Sequence, residues 1–166
     1  MIDYLSAMKL CAELKGKKIQ YIIRSLNLVD IGFGSLFERV SISGKPYTVA
    51  SFALHIQCPF RLIYQNRIIA GSEDMYICSC DEDATDLNVN KNSLFDHKIH
   101  EIQESFKDEY VTDIKVNVFG DLEIICSNLS IFVFVSSSAD CEAWRFFEVD
   151  KNTRHLVISG NKFELQ

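Results

Sequence analysis

The sequence lacks an apolar run long enough to cross a bilayer. A transmembrane helix needs about 20 mostly apolar residues, whereas the longest run here is IFVFV at 131–135. The opening stretch, MIDYLSAMKLCAELKGKK, carries Asp3 and Glu13 and places its lysines after the apolar part, which reverses the order of a secretory signal. We therefore expect a cytoplasmic protein that does not contact a membrane.

Catalytic and nucleotide motifs are also lacking. No serine lies in Gly-x-Ser-x-Gly, GFGS at 32–35 has no third glycine, and SGKP at 43–46 lacks the preceding glycine of a phosphate loop. Both glycine segments indicate turns. The sequence predicts a non-enzymatic protein with no bound cofactor, although it leaves open a dyad assembled from distant residues.

Positive charge is scarce outside the first part of the chain. The net charge is -6, and residues 1–60 hold seven basic and four acidic side chains, so the negative charge lies in the remainder. A surface of this sign repels phosphate backbones and anionic lipids and attracts basic proteins. The expected partner is a basic protein, and neither nucleic acid nor a membrane is expected.

Disulfides are not required to stabilise a chain of this size. A domain of 166 residues buries roughly 70% of the surface that its unfolded chain exposes. Several of the six cysteines lie among aliphatic residues in predicted strands, where a free thiol behaves as a small hydrophobe. We expect one domain over residues 1–166, with reduced thiols.

Two segments have helical periodicity. The first spans residues 2–14 and ends before Gly16, with one apolar side that consists of Ile2, Leu5, Met8 and Ala12. The second spans residues 94–107 and begins with a capping box of Ser93 and Asp96. Its predicted core stripe comprises Phe95, Ile99, Ile102 and Phe106.

Most of the remaining chain has the composition of strands. β-branched and aromatic residues are dense between turn signals such as SGKP at 43–46 and the pair Gln65 and Asn66. Three strands within 111–136 are predicted to form a meander, whose last strand is apolar on both faces and therefore central. The predicted fold class is α+β, a predominantly antiparallel sheet with the N-terminal helix and one mid-chain helix packed against it.

The stretch ALHIQCPF, residues 53–60, contains a histidine and a thiol that could act together. Strict alternation places Cys58 with the core residues and His55 on the opposite face of the strand. Pro59 is expected to end the strand or to mark a bend. Alternation therefore predicts that His55 and Cys58 are strand residues with no joint chemistry.

A metal site is the alternative function that the sequence offers. The second helix presents His97, His100, Glu101 and Glu104 opposite its apolar stripe, and Cys78 and Cys80 lie upstream. Histidine and cysteine are zinc ligands, although Cys-x-Cys is tighter than the usual spacing. The simpler interpretation is a solvated polar helix face, and on that interpretation no metal is bound.

Acidic residues crowd the segment between the predicted strands and the second helix. Asp81, Glu82, Asp83 and Asp86 resemble the start of a calcium loop, but Asp86 replaces the glycine of the turn and Asn92 replaces the bidentate glutamate. These four acids are the predicted contact surface for a basic partner.

Four motifs carry a resemblance to a known group of proteins: ALHIQCPFRLI, RIIAGSEDMY, FGDLEI and the late WRFF. Together they resemble a group of small bacterial proteins in which a strand ending in Leu-His-x-Gln precedes an aromatic-Arg pair. Some proteins of that group accompany polymorphic or contact-dependent toxins. The resemblance implies an immunity protein that binds and neutralises a toxin domain.

Overall fold

The described residues form eleven strands in two antiparallel sheets, with two α-helices at their borders. The computed structural model describes residues 1–78, 93–136, 138–149, 154–160 and 162–166. Over these residues the fold is α+β and mainly antiparallel, which confirms the predicted fold class.

The larger sheet has six strands, in the order β1-β2-β3-β9-β10-β11. Their bounds are β1 Ile19–Ser25, β2 Leu28–Val40, β3 Pro46–Ile56, β9 Glu142–Glu148, β10 Leu156–Ser159 and β11 Lys162–Leu165. Each strand is antiparallel to its neighbours. β1 and β11 are therefore the edge strands.

The smaller sheet has five strands, in the order β5-β4-β8-β7-β6. Their bounds are β4 Phe60–Tyr64, β5 Arg67–Gly71, β6 Asp113–Val116, β7 Leu122–Ile125 and β8 Leu129–Val133. Gln65 and Asn66 close the β4–β5 hairpin with φ of 48° and 64°. The meander of β6, β7 and β8 and the central place of β8 are confirmed.

Both sheets and both helices share one apolar core. Its largest fully buried side chain is Trp144 of β9. The Trp144 indole donates a hydrogen bond of 2.8 Å to the carbonyl oxygen of Gly120, in the connection between β6 and β7. This contact joins the two sheets through a satisfied polar group.

The mid-chain helix α2, Leu94–Ile102, begins at the predicted capping box. The Ser93 hydroxyl accepts a hydrogen bond of 3.2 Å from the Asp96 amide, and Asp96 Oδ2 accepts one of 3.3 Å from the Ser93 amide. Phe95 is buried and packs edge-on against Phe60 of β4. A 3₁₀ helix, Gln103–Asp108, continues α2.

The N-terminal helix differs from the prediction in the side that it buries. α1 spans Tyr4–Cys11 and is followed by a 3₁₀ turn, Ala12–Leu14. The buried residues are Ala7, Cys11 and Leu14, whereas Leu5 is 47% exposed. The predicted stripe is therefore wrong at Leu5, because the helix packs through a small alanine that allows close approach to its neighbours.

Strand boundaries differ from the prediction in the first third of the chain. A turn at Leu26 and Asn27, which was not predicted from the sequence, separates β1 from β2, and Leu26 has φ 56°. β2 then runs through GFGS, where a turn was predicted, with a register shift between Phe33 and Leu36. β11 was not predicted.

Candidate functional site

Three polar side chains form a row across the outer face of the larger sheet. Asp30 of β2 pairs directly with His55 of β3, and His55 pairs with Arg145 of β9. Directly paired residues lie on the same face of a sheet, with Cβ atoms about 5 Å apart. We name Asp30, His55 and Arg145 the polar row.

Arg145 is held in place by its own strand. Its Nε donates a hydrogen bond of 2.6 Å to Glu142 Oε1, and its Nη2 donates a second bond to Oε2. The side-chain amide of Gln57 also donates a hydrogen bond of 3.3 Å, from Nε2 to Glu142 Oε1. A bidentate pair of this kind fixes the guanidinium plane, so Arg145 has a defined orientation on the sheet surface.

Aromatic rings adjoin the polar row. Phe147 of β9 stacks on His155, with ring centroids 4.1 Å apart, and meets His55 edge-on at 5.0 Å. His155 Nδ1 lies 3.4 Å from Arg145 Nη1. Burial and then the charge of Arg145 lower the pKa of both histidines, so the neutral imidazole is favoured.

Asp30 is the member of the row whose carboxylate is not fully hydrogen-bonded. Burial raises the pKa of Asp30 from 3.8 to about 6. Its Oδ1 has no hydrogen-bond partner among the described residues and lies 3.7 Å from His55 Nε2. That distance is too long for a hydrogen bond. Because burial lowers the pKa of His55, the neutral imidazole is favoured over a charged partner for Asp30.

A glycine in β2 allows an aromatic ring to lie close to the strand beside Asp30. A Cβ at Gly32 would lie 2.3 Å from Cζ of Tyr21, so the tyrosine ring passes over the backbone of Gly32. Burial and the charge of Asp30 both raise the pKa of Tyr21. A buried carboxyl with an unpartnered oxygen in an accessible surface cluster is a feature of functional sites.

The buried thiols are not activated. Burial raises the pKa of Cys11, Cys58 and Cys126 to about 12 in each case. A nucleophilic cysteine instead requires a lowered pKa and access to solvent. Cys58 is buried, whereas the His55 side chain is 27% exposed. The predicted separation of His55 and Cys58 is confirmed.

A second candidate feature is a groove between β1 and α2. Its volume is about 530 Å³, within the range of ligand sites. We name it the α2 groove, and its lining residues are Ile22, Ile23, Arg24, Phe95, Asp96, His97, Ile99, His100 and Gln103. Inside it, Arg24 Nη2 and Asp96 Oδ2 form an ion pair of 2.6 Å.

The α2 groove and the polar row adjoin each other. Ile23 lines the groove, is 53% exposed and pairs directly with Asp30 across β1 and β2. Ile23 therefore lies beside both the α2 groove and the polar row.

The four predicted partner-binding acids, Asp81, Glu82, Asp83 and Asp86, lie outside the described residues. So does Cys80, one of the two cysteines of the alternative metal site. No group of three or more metal-ligating side chains lies in the described ranges. His97, His100, Glu101 and Glu104 are exposed on α2 and the helix that follows it, as the simpler interpretation predicts.

Sequence reasoning missed Asp30 and Arg24 as notable residues. Asp30 is the single charged residue of LVDIGF, and Arg24 is the single charged residue of YIIRS. A lone charge in an apolar strand segment was the signal that could have identified them. Their partners are 25 and 72 residues away in the chain, so only the strand register and the position of α2 reveal them.

No described helix has both the length and the apolar character needed to traverse a membrane. Comparison of the chain with models of protein families, with curated proteins and with solved structures gives no match. The polar row, the α2 groove and the distribution of charge are therefore the features from which function is inferred.

Proposed function

We propose that this chain is a non-enzymatic cytoplasmic binding protein, an immunity protein that neutralises a basic bacterial toxin domain by covering its surface. The observation that carries the proposal is the concentration of negative charge in one segment. Residues 73–108 contain ten acidic and three basic side chains, a net charge of -7 in a chain whose total is -6.

The described part of this segment consists of elements that contact one another. A 3₁₀ helix, Ser72–Tyr76, contacts α2, and α2 contacts the 3₁₀ helix that follows it. We name their exposed carboxylates the acidic side: Glu73, Glu101, Glu104 and Asp108. The four acids predicted to bind a partner belong to the same segment of sequence.

Clustered charge of one sign is useful to a protein that must capture its partner quickly. Complementary charge raises association rates to about 10⁸–10⁹ M⁻¹s⁻¹ at low salt, and like charge rejects wrong partners. A toxin must be captured before it acts, so a fast association rate has a direct benefit. The resemblance in four sequence motifs supports the same function.

The neighbouring surface supplies anchors that could hold a captured partner. Arginine and aromatic side chains carry a large share of binding energy at protein interfaces. Arg145 is oriented by Glu142, and Phe147 is stacked on His155. Rigid side chains lose little conformational entropy on binding, so this arrangement favours tight binding.

Co-expression with the candidate toxin tests the proposal. Each reading frame that adjoins the gene of this chain is induced in a bacterial host with or without this chain, and growth is measured. Growth restored by this chain but not by an unrelated acidic protein is the expected result. Full toxicity in the presence of folded chain, or no toxic product from either adjoining frame, would overturn the proposal.

A further inference from the structure

We propose that the α2 groove receives an extended segment of a protein partner, which adds to the edge of β1 as a seventh strand of the larger sheet. Only the basic character of that segment rests on the proposed function. The remaining argument depends on the geometry of β1 and α2.

The lining of the groove shows that it follows the edge of the strand. Ile22, Ile23 and Arg24 are consecutive residues of β1, and all three line the groove. Successive side chains of a strand point to opposite faces of a sheet. A cavity that contacts all three must therefore run along the strand edge, where backbone groups are accessible.

The hairpin determines which backbone groups face the groove. Ser25 and Leu28 pair on either side of a two-residue turn, so they exchange backbone hydrogen bonds, and the bonded pairs then alternate along the ladder. Ser25, Ile23 and Tyr21 consequently bond to β2. Ile22 and Arg24 direct their N–H and C=O groups away from β2 and towards the groove.

The beginning of β1 demonstrates that this edge accepts a neighbour. The Ile19 amide donates a hydrogen bond of 3.1 Å to the Glu109 carbonyl, and Lys18 forms an antiparallel bridge with Tyr110. Over Ile22 and Arg24, by contrast, no described residue outside the sheet bonds to the backbone. Among the described residues, pairing along this edge therefore stops where the groove begins.

The opposite edge of the same sheet is occupied. On β11, the Phe163 carbonyl accepts a hydrogen bond of 2.8 Å from the Ile2 amide. Exposed strand edges are usually covered or blocked, because they recruit other strands. A groove along an edge that no described residue covers is a surface suited to strand addition, a common mode of peptide recognition.

The side chains around the groove define the sequence that would fit. Ile22, Phe95 and Ile99 provide an apolar floor, and the ion pair with Asp96 already neutralises Arg24. Glu101, one helical turn from His97, belongs to the acidic side. The matching occupant is an extended segment in which apolar residues alternate with lysine or arginine.

The probe is a blocked synthetic peptide of four Lys-Val repeats, added to the full chain and followed by amide hydrogen exchange in NMR spectra. Saturating peptide is expected to slow exchange at Ile22 and Arg24 by at least about tenfold. Tyr21 and Ile23, whose amides already bond to β2, are expected to change little. This alternation distinguishes strand addition from general stabilisation.

Two controls separate backbone pairing from charge. A Lys-Val peptide with alternate amides N-methylated keeps the charge but cannot pair and should give no protection, and a Glu-Val peptide should bind at least about tenfold more weakly. In the chain, His100→Trp should fill the groove and weaken binding, whereas Leu36→Trp, at an exposed site in β2, should not.

Several results would overturn strand addition. They are no binding up to about 1 mM peptide, equal protection by the N-methylated peptide, or slow exchange of the Ile22 and Arg24 amides in the free protein. If the chain neutralises a toxin but fails this test, neutralisation uses another surface. If the peptide adds to β1 but no toxin is neutralised, strand addition stands and the immunity proposal falls.

Discussion

Arg24 and Asp96 are 72 residues apart in sequence, yet their side chains meet at 2.6 Å between β1 and the start of α2. The Arg24 side chain is 2% exposed, and it also donates a bond of 2.9 Å to the Leu26 carbonyl. Burial tends to raise the pKa of Asp96, but hydrogen bonds from Arg24 and Ser93 outweigh it and hold that pKa below its usual range. One carboxylate therefore caps α2 and attaches it to the edge of the larger sheet.

Breaking this pair should destabilise the fold strongly. Arg24→Met leaves Asp96 without its charged partner in a nearly buried site, and we expect a loss of about 3 kcal/mol in the free energy of unfolding, measured by urea denaturation. Ser93→Ala, which disturbs only the cap, should cost about 1 kcal/mol. A loss of under about 0.5 kcal/mol for Arg24→Met would contradict a structural role for the pair.

Asp30 should destabilise the protein at neutral pH. Its pKa is raised on folding from 3.8 to about 6, so between these values the folded state binds more protons than the unfolded state. Its contribution to stability therefore grows as the pH falls through about 6 and is lost as the pH rises. At pH 8 the free energy of unfolding of Asp30→Asn should exceed that of the native chain by about 2 kcal/mol. Near pH 4 the two free energies of unfolding should be nearly equal.

The matched control for that comparison is Glu38→Gln, at an exposed position in the same strand. This substitution removes a carboxylate that stays exposed in the folded state, so no cost of burying charge is removed. The free energy of unfolding should stay within about 0.5 kcal/mol of the native value at both pH values. An Asp30→Asn variant that is less stable at pH 8 would refute the interpretation of Asp30 as an uncompensated carboxylate.

Gly120 should tolerate no side chain. Its φ is +90°, and a Cβ would lie 2.6 Å from Cγ2 of Ile158, beside the carbonyl that accepts the Trp144 indole. In Gly120→Ala the free energy of unfolding, measured by urea denaturation, should fall by about 3 kcal/mol. Left-handed backbone strain and overpacking both contribute to this loss. Gly44→Ala has the same strain at φ +78° with no atom within 4 Å, and should lose only about 1 kcal/mol. Equal losses would exclude the overpacking.

The two histidines beside Arg145 should titrate differently when its charge is removed. Burial and then Arg145 lower the pKa of His55 and His155, so Arg145→Gln should raise both midpoints in an NMR titration. Lys115→Gln removes a positive charge from β6, in the smaller sheet, and should leave both midpoints in place. Unchanged midpoints in Arg145→Gln would mean that burial alone sets the pKa values.

Local signals in the sequence predicted local structure well. The capping box at Ser93, the positive-φ turn at Gln65 and Asn66, and the outward direction of His55 all depend on residues within a few positions of each other. The apolar side of α1 was predicted wrongly at Leu5, because Ala7 carries too little hydrophobicity to mark the face that packs most closely.

Long-range pairing could not be predicted in the same way. Alternation indicates which face of a strand each residue occupies, but the division of the described strands between two sheets depends on pairings such as β3 with β9, far apart in sequence. The polar row and the α2 groove both arise from such pairings. The residues that compose them therefore gave only weak signals.

The most direct test of binding through the acidic side is the rate of association with the toxin domain, measured by stopped flow over a range of salt concentrations. Glu73→Lys/Glu101→Lys is compared with Glu13→Lys/Glu38→Lys, which changes the net charge equally at exposed sites outside residues 73–108. We predict that the first pair slows association at low salt by at least about tenfold, with the difference vanishing at high salt, and that the second pair has a much smaller effect. Equal effects of the two pairs would contradict a localised acidic binding surface.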